Sequence, residues 1–78
     1  MGNDNYRDHF IELGLNIRFY RNKKGLTQEQ LADAVHISKQ QISRIESPNN
    51  MHSTTLHTLY LIADVLDIDI HQLIKSNR

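Results

Sequence analysis

The sequence predicts an all-α fold: a compact bundle of five short helices around one core. Three observations carry that expectation. Apolar residues recur at steps of three and four, helix-starting side chains recur ahead of those stripes, and no run alternates apolar and polar residues long enough to read as a strand. With 78 residues the chain has the size of one domain, held by a single modest core.

Residues 1–7 are polar and read as a flexible tail, followed by one domain over residues 8–76. The first helix is expected from Asp8 to Lys24, with Phe10, Leu13, Ile17 and Tyr20 on its stripe. Lys23 and Lys24 in the last turn and Gly25 just past it form a stop. Thr27 starts a second helix as N-cap, and Gln30 three residues later completes a capping box. Leu31, Ala34 and Val35 form its inner stripe, Ala32 allows close approach, and the helix ends near Val35 or His36. Ser38 opens a third helix whose apolar face is Ile42 and Ile45, and Pro48 ends it by forcing Ser47 out of the helical region. After a loop from Ser47 to Thr54, a fourth helix runs from Thr55 to Leu66, with Leu56, Leu59, Ile62, Ala63 and Leu66 inside. Asp67 ends it, and Asp69 caps a short fifth helix holding Ile70, Leu73 and Ile74.

Composition narrows the function classes. There is no cysteine, hence no disulfide framework and no thiolate zinc site. No leader-like N-terminus and no long apolar run is present, so the expectation is a cytoplasmic chain that does not enter a membrane. His9, His36, His52, His57 and His71 contain no i, i+4 pair and have no acidic cluster nearby, which argues against a metal. Three glycines form no phosphate-binding loop, Ser38 reads as a cap, and no strained elbow surrounds Ser43. Neither an enzyme nor a cofactor is expected.

The formal net charge is zero, but its distribution is uneven. Residues 18–44 carry six basic and two acidic side chains, whereas residues 46–78 carry two basic and four acidic ones. A chain of this kind can present one face to phosphate and another to a partner. Within the basic half lies Thr27–Glu46, TQEQLADAVHISKQQISRIE. Two short capped helices joined by about three residues cannot fold back antiparallel and must cross steeply. One can then lie across a DNA backbone while the other enters the major groove. The outward face of the third helix has groove chemistry: Ser38, Lys39, Gln40, Gln41, Ser43 and Arg44, with no acid before Glu46. Gln pairs with the N6 and N7 edge of adenine, and Arg or Lys with O6 and N7 of guanine.

At these residues the chain resembles a known family. Residues 13–74 are similar to the Cro/C1-type (XRE) helix-turn-helix family, which includes lambdoid phage repressors. The likeness is carried by Ile17–Arg21, by GLTQEQLA at Gly25–Ala32, by ISKQQISRIE at Ile37–Glu46 and by LHTLYLIADVLDI at Leu56–Ile68. It implies a lambda repressor-like fold with its helix-turn-helix unit at residues 27–46. It also implies a bacterial or phage-encoded, sequence-specific transcriptional regulator acting on double-stranded DNA, a repressor by operator occupancy. In that likeness Gln28 touches phosphate and braces the recognition helix, Lys39, Gln40 and Arg44 read bases with Gln41 and Ser43 beside them, and Arg21 and Glu46 form a partly buried salt bridge. Two features depart from the family: His36 stands where Gly is common in the turn, and the loop after the third helix is long and lacks Lys and Arg. Asn49, Asn50, His52, Ser53 or main-chain N–H groups then replace the usual backbone contacts there.

Ile11, Leu15 and Phe19 lie off the main stripe of the first helix, as Leu61 and Val65 do on the fourth. Surplus apolar groups on so small a domain point to a partner surface. A homodimer is the expected use, placing two recognition helices about 34 Å apart on a near-palindromic operator. The alternative is an antitoxin-like or adaptor protein whose main partner is another protein.

Overall fold

The computed structural model describes residues 2–47 and 54–74, with side chains from Asp8 onward. Five helices follow in order: α1 Gly2–Lys23, α2 Gln28–Val35, α3 Lys39–Glu46, α4 Leu56–Leu66 and α5 Ile70–Ile74. None of the described residues forms a strand. Among the described residues, no helix is long and apolar enough to cross a membrane. Pro48 and the loop residues Asn49, Asn50, His52 and Ser53 lie outside the described part, as do residues 75–78.

Helix starts follow one rule. Thr27 and Ser38 each accept from the backbone N–H three residues on, at 3.0 and 3.1 Å, and Gln30 and Gln41 reach back to the cap N–H at 2.8 and 3.0 Å. Thr55 accepts from the Thr58 N–H at 3.1 Å. Asp69 accepts from the His71 N–H at 3.0 Å while its own N–H donates to Gln72 Oε1 at 3.1 Å. Those bonds to His71 favour the charged carboxylate and hold the Asp69 carboxyl below its ordinary range.

Helix stops follow another. α1, α2 and α4 all end in a left-handed residue, Gly25 (φ 78°), His36 (φ 62°) and Asp67 (φ 59°). In each case the next N–H, of Leu26, Ile37 or Ile68, donates at 3.0 Å to a carbonyl five residues back, which closes a Schellman motif. Leu26, Ile37 and Ile68 then fold inward against the core, as that motif favours. His36 meets the turn requirement without glycine, at a strain of about 1 kcal/mol.

The core draws on every helix: Leu13 and Ile17 from α1, Leu31, Ala32 and Val35 from α2, Ile42 and Ile45 from α3, Leu59, Ile62, Ala63 and Leu66 from α4, and Leu73 from α5. α1 packs on α3, α4 and α5, and α2 on α3 and α4.

Several sequence expectations need correction. α1 begins at Gly2, six residues before the expected start at Asp8; no proline or glycine interrupts the chain between Gly2 and Gly14. On α2 the buried small residue is Ala32, and Ala34 is exposed. α2 packs against both α3 and α4, which turns its buried arc toward Ala32. Leu56 is 63% exposed, because the cover over α4 begins one turn later, at Leu59. Leu61 and Val65 are half-buried against the core instead of forming a free surface, since α4 is contacted by α1, α2 and α5 and its buried arc is wide.

Gly14 has a packing role that helical periodicity does not reveal. α1 and α3 approach so closely that a methyl at Gly14 would be driven into the Ile45 carbonyl oxygen and would sit 3.2 Å from Glu46 Cα. In an open helix Gly→Ala gains about 1 kcal/mol. Here overpacking against rigid backbone costs about 1–3 kcal/mol. Gly14→Ala is therefore expected to lower the thermal midpoint, and a raised midpoint would show that the α1–α3 contact is looser than described.

Candidate nucleic-acid interface

The surface of interest is built from α3 outward. Ile42, Ile45 and Glu46 are its buried side. At 100° per residue, Gln40 and Arg44 project opposite to them, with Ser43 on one flank and Gln41 on the other. Ser38, Lys39, Gln40, Gln41, Ser43 and Arg44 are all exposed. No acidic residue lies in the first turn, and Glu46, the one acid of α3, faces inward. The Gln41 carboxamide is turned back onto the Ser38 N–H and hydroxyl, so it serves the helix start. Lys39, Gln40, Ser43 and Arg44 are the exposed side chains that this arrangement brings together.

What orients α3 is an ion pair at its C-terminal end. Arg21 Nε donates to Glu46 Oε2 at 2.7 Å and Arg21 Nη2 donates to Glu46 Oε1 at 2.9 Å, a bidentate fork. The two side chains are 9% and 3% exposed. Arg21 Nη1 donates to the Leu26 carbonyl at 2.7 Å, and Gln28 Nε2 to Glu46 Oε1 at 3.1 Å. Gln28 is half-buried, so it braces α3 from the start of α2. The Glu46 carboxylate thus ties α1 and the start of α2 to the end of α3, and the same Arg21 guanidinium also holds the α1–α2 turn.

Arg18 received no role from the sequence beyond its charge. It is exposed on α1, three residues before Arg21, and lines a notch with Arg21, Gln28, Ser43, Glu46 and Ser47. The i, i+3 spacing of two arginines was the available signal. Of the apolar residues set apart from the core stripes, Leu15 and Phe19 are 48% and 59% exposed, and Ile11 is half-buried. Phe19 packs edge-on to Tyr20, with ring centroids 5.0 Å apart.

Removing one member of a buried pair leaves the other charged and unsolvated, which costs about 3–5 kcal/mol. Glu46→Ala is therefore expected to drop the thermal midpoint by at least about 10 °C. A midpoint unchanged in a calorimetric scan would mean that the pair contributes nothing to the fold.

Comparison with known proteins agrees with this geometry. The helix-turn-helix family matches residues 17–73. A competence pilus inhibition repressor from Acinetobacter baylyi is 35% identical over 63 residues, covering 81% of this chain and 56% of that protein, so the chain spans only about half of that relative's length. The restriction-modification controller protein C.AhdI from Aeromonas hydrophila superposes with a TM-score of 0.75 at 26% identity, covering 82% of this chain and 94% of the other. SinR, a master regulator for biofilm formation solved in complex with DNA, superposes with a TM-score of 0.74 at 30% identity, covering 81% and 98%. With its capped α2–α3 pair, the buried Arg21–Glu46 fork and the match over residues 17–73, the chain belongs to the Cro/C1-type (XRE) helix-turn-helix family of DNA-binding regulators.

Proposed function

We propose that the chain is a sequence-specific, cytoplasmic transcriptional regulator that represses by occupying an operator in double-stranded DNA. One observation carries this reading: the exposed arc of α3 is free of acid and carries Lys39, Gln40, Ser43 and Arg44, while its buried arc is locked by the Glu46 fork. A rigid helix with such an arc suits the major groove, which is about 12 Å wide. Lys39 and Arg44 carry the donors for guanine O6 and N7, and Gln40 has the paired donor and acceptor for adenine N6 and N7. Ser38 and Gln28 stand at the starts of α3 and α2, where phosphate contacts position the protein without reading sequence. The family match and the resemblance to a named repressor support the regulatory role.

The zero net charge weakens bulk attraction to DNA and by itself argues against binding; the basic excess over residues 18–44 offsets it. Affinity for random DNA scales with the phosphates neutralised, and this chain has few unopposed cations to offer. Its preference for one site must come from base contacts. Arg44→Ala is expected to relax one operator position and to cost about 1–3 kcal/mol on the selected sequence, with little change on random duplex. Selection from random DNA followed by titration measures this. Equal binding of selected and random duplexes by the wild-type chain would sink the reading.

The regulator acts as a homodimer on a near-palindromic site, and the surface that supports this is now narrower than five residues. Leu15 and Phe19 are exposed one turn apart on α1, with half-buried Ile11 a turn earlier, whereas Leu61 and Val65 are largely spent on the core. A Leu15→Glu, Phe19→Glu chain is expected to sediment as a monomer at concentrations where the wild type is dimeric. A wild-type chain that stays monomeric at high concentration would refute self-association.

A further inference from the structure

A notch of about 280 Å³ opens beside α3, lined by Arg18, Arg21, Gln28, Ser43, Glu46 and Ser47. Its floor is the bidentate fork, in which the Glu46 carboxylate already receives Arg21 Nε and Nη2 and Gln28 Nε2. That carboxylate is matched by one guanidinium, which leaves the second, on Arg18, as the excess charge of the notch. Arg18 is exposed, unlike Arg21 one turn further along α1. A carboxamide nitrogen has two donors, and Gln28 spends one of them on Glu46. The lining therefore offers an anion one cation, one amide N–H and the Ser43 hydroxyl, over a neutralised base.

Position selects the anion. A helix with its side chains is about 10–12 Å across, and the major groove is about 12 Å wide. When Gln40 and Arg44 face the bases, the flanks of α3 lie against the sugar-phosphate walls. The notch sits on the Ser43 flank, where such a wall passes.

Resting on the DNA-binding reading above, and taking the backbone phosphate that the family likeness already gives to Gln28, we propose that Arg18 is an added cation that clamps that phosphate in this notch. Gln28 and Ser43 donate to the same phosphate, and the Arg21–Glu46 fork holds the seat in place. The contact carries no sequence information, so it fixes the depth and register of α3 in the groove.

The test uses the full chain, a selected operator duplex and a random duplex of equal length, titrated at several salt concentrations. Arg18→Ala is expected to weaken both duplexes by a similar factor, roughly tenfold, the scale of one charge-assisted contact. The slope of log affinity against log salt should become shallower by about one. Arg18→Lys, which keeps the charge, should retain most of that slope, and the exposed position predicts an unchanged thermal midpoint for both variants. Arg18→Ala with wild-type affinity and slope would overturn the proposal. So would a loss confined to one operator position, which would make Arg18 a base reader. If the wild-type chain bound neither duplex, the DNA-binding reading itself would fail, a result distinct from either.

Discussion

The Glu46 carboxylate is the point on which the arrangement turns. It sits at the end of the helix that carries the exposed polar arc, and it is buried, so it must be matched by donors or expelled. Three N–H groups supply the match, two from Arg21 and one from Gln28, and the same Arg21 side chain closes on the Leu26 carbonyl. A network of this kind is weak as a source of net stability, because desolvation consumes much of the Coulombic gain. Its value is directional. A forked guanidinium accepts a carboxylate in few geometries, so the end of α3 has one place to go relative to α1. Gly14 permits the same approach from the other side, by letting the α3 backbone come against α1. Among the described residues no buried side-chain nitrogen or oxygen lacks a partner, so the fork adds rigidity without leaving an unsatisfied polar group in the interior.

The helix ends contribute a second layer of definition. Reciprocal caps at Thr27 and Ser38 begin α2 and α3, and Schellman turns at Gly25, His36 and Asp67 end α1, α2 and α4. Each device satisfies orphan backbone groups within a few residues of chain. Each Schellman turn also drives an apolar residue inward, Leu26, Ile37 or Ile68, so that the stop is welded to the core. The turn from Val35 to Lys39 is short because both of its ends are specified, and α2 and α3 pack directly on each other. The strain taken at His36 and Asp67 is small beside the burial these turns secure.

The exposed side of α3 gains its character from this rigidity. Short polar side chains on a wandering helix would sample many contacts and discriminate among few. With the end of α3 held by the fork, Gln40 and Arg44 share one outward arc of the helix, the placement that bidentate recognition of a base edge requires. Gln41 shows how economically the helix is used, since its carboxamide completes the cap and leaves the outward arc to its neighbours. The small Ser43 leaves open the flank where the notch lies.

Much of this was legible in the residues themselves. The caps, the stops and the 3.6-residue stripes are local: the groups that satisfy each other lie three to five positions apart, so composition in a short window decides them. The polar arc of α3 is equally local, because it is simply the side opposite Ile42 and Ile45. What the sequence left open depended on how many neighbours each helix has. Ala32 rather than Ala34 is buried, and Leu61 and Val65 are half-covered, because α2 and α4 are each contacted by more than one helix and their buried arcs widen or turn accordingly. Gly14 and Arg18 gained meaning only when α1 met α3, since a close backbone approach and a shared notch join residues about 30 positions apart, and no spacing rule within one helix encodes them.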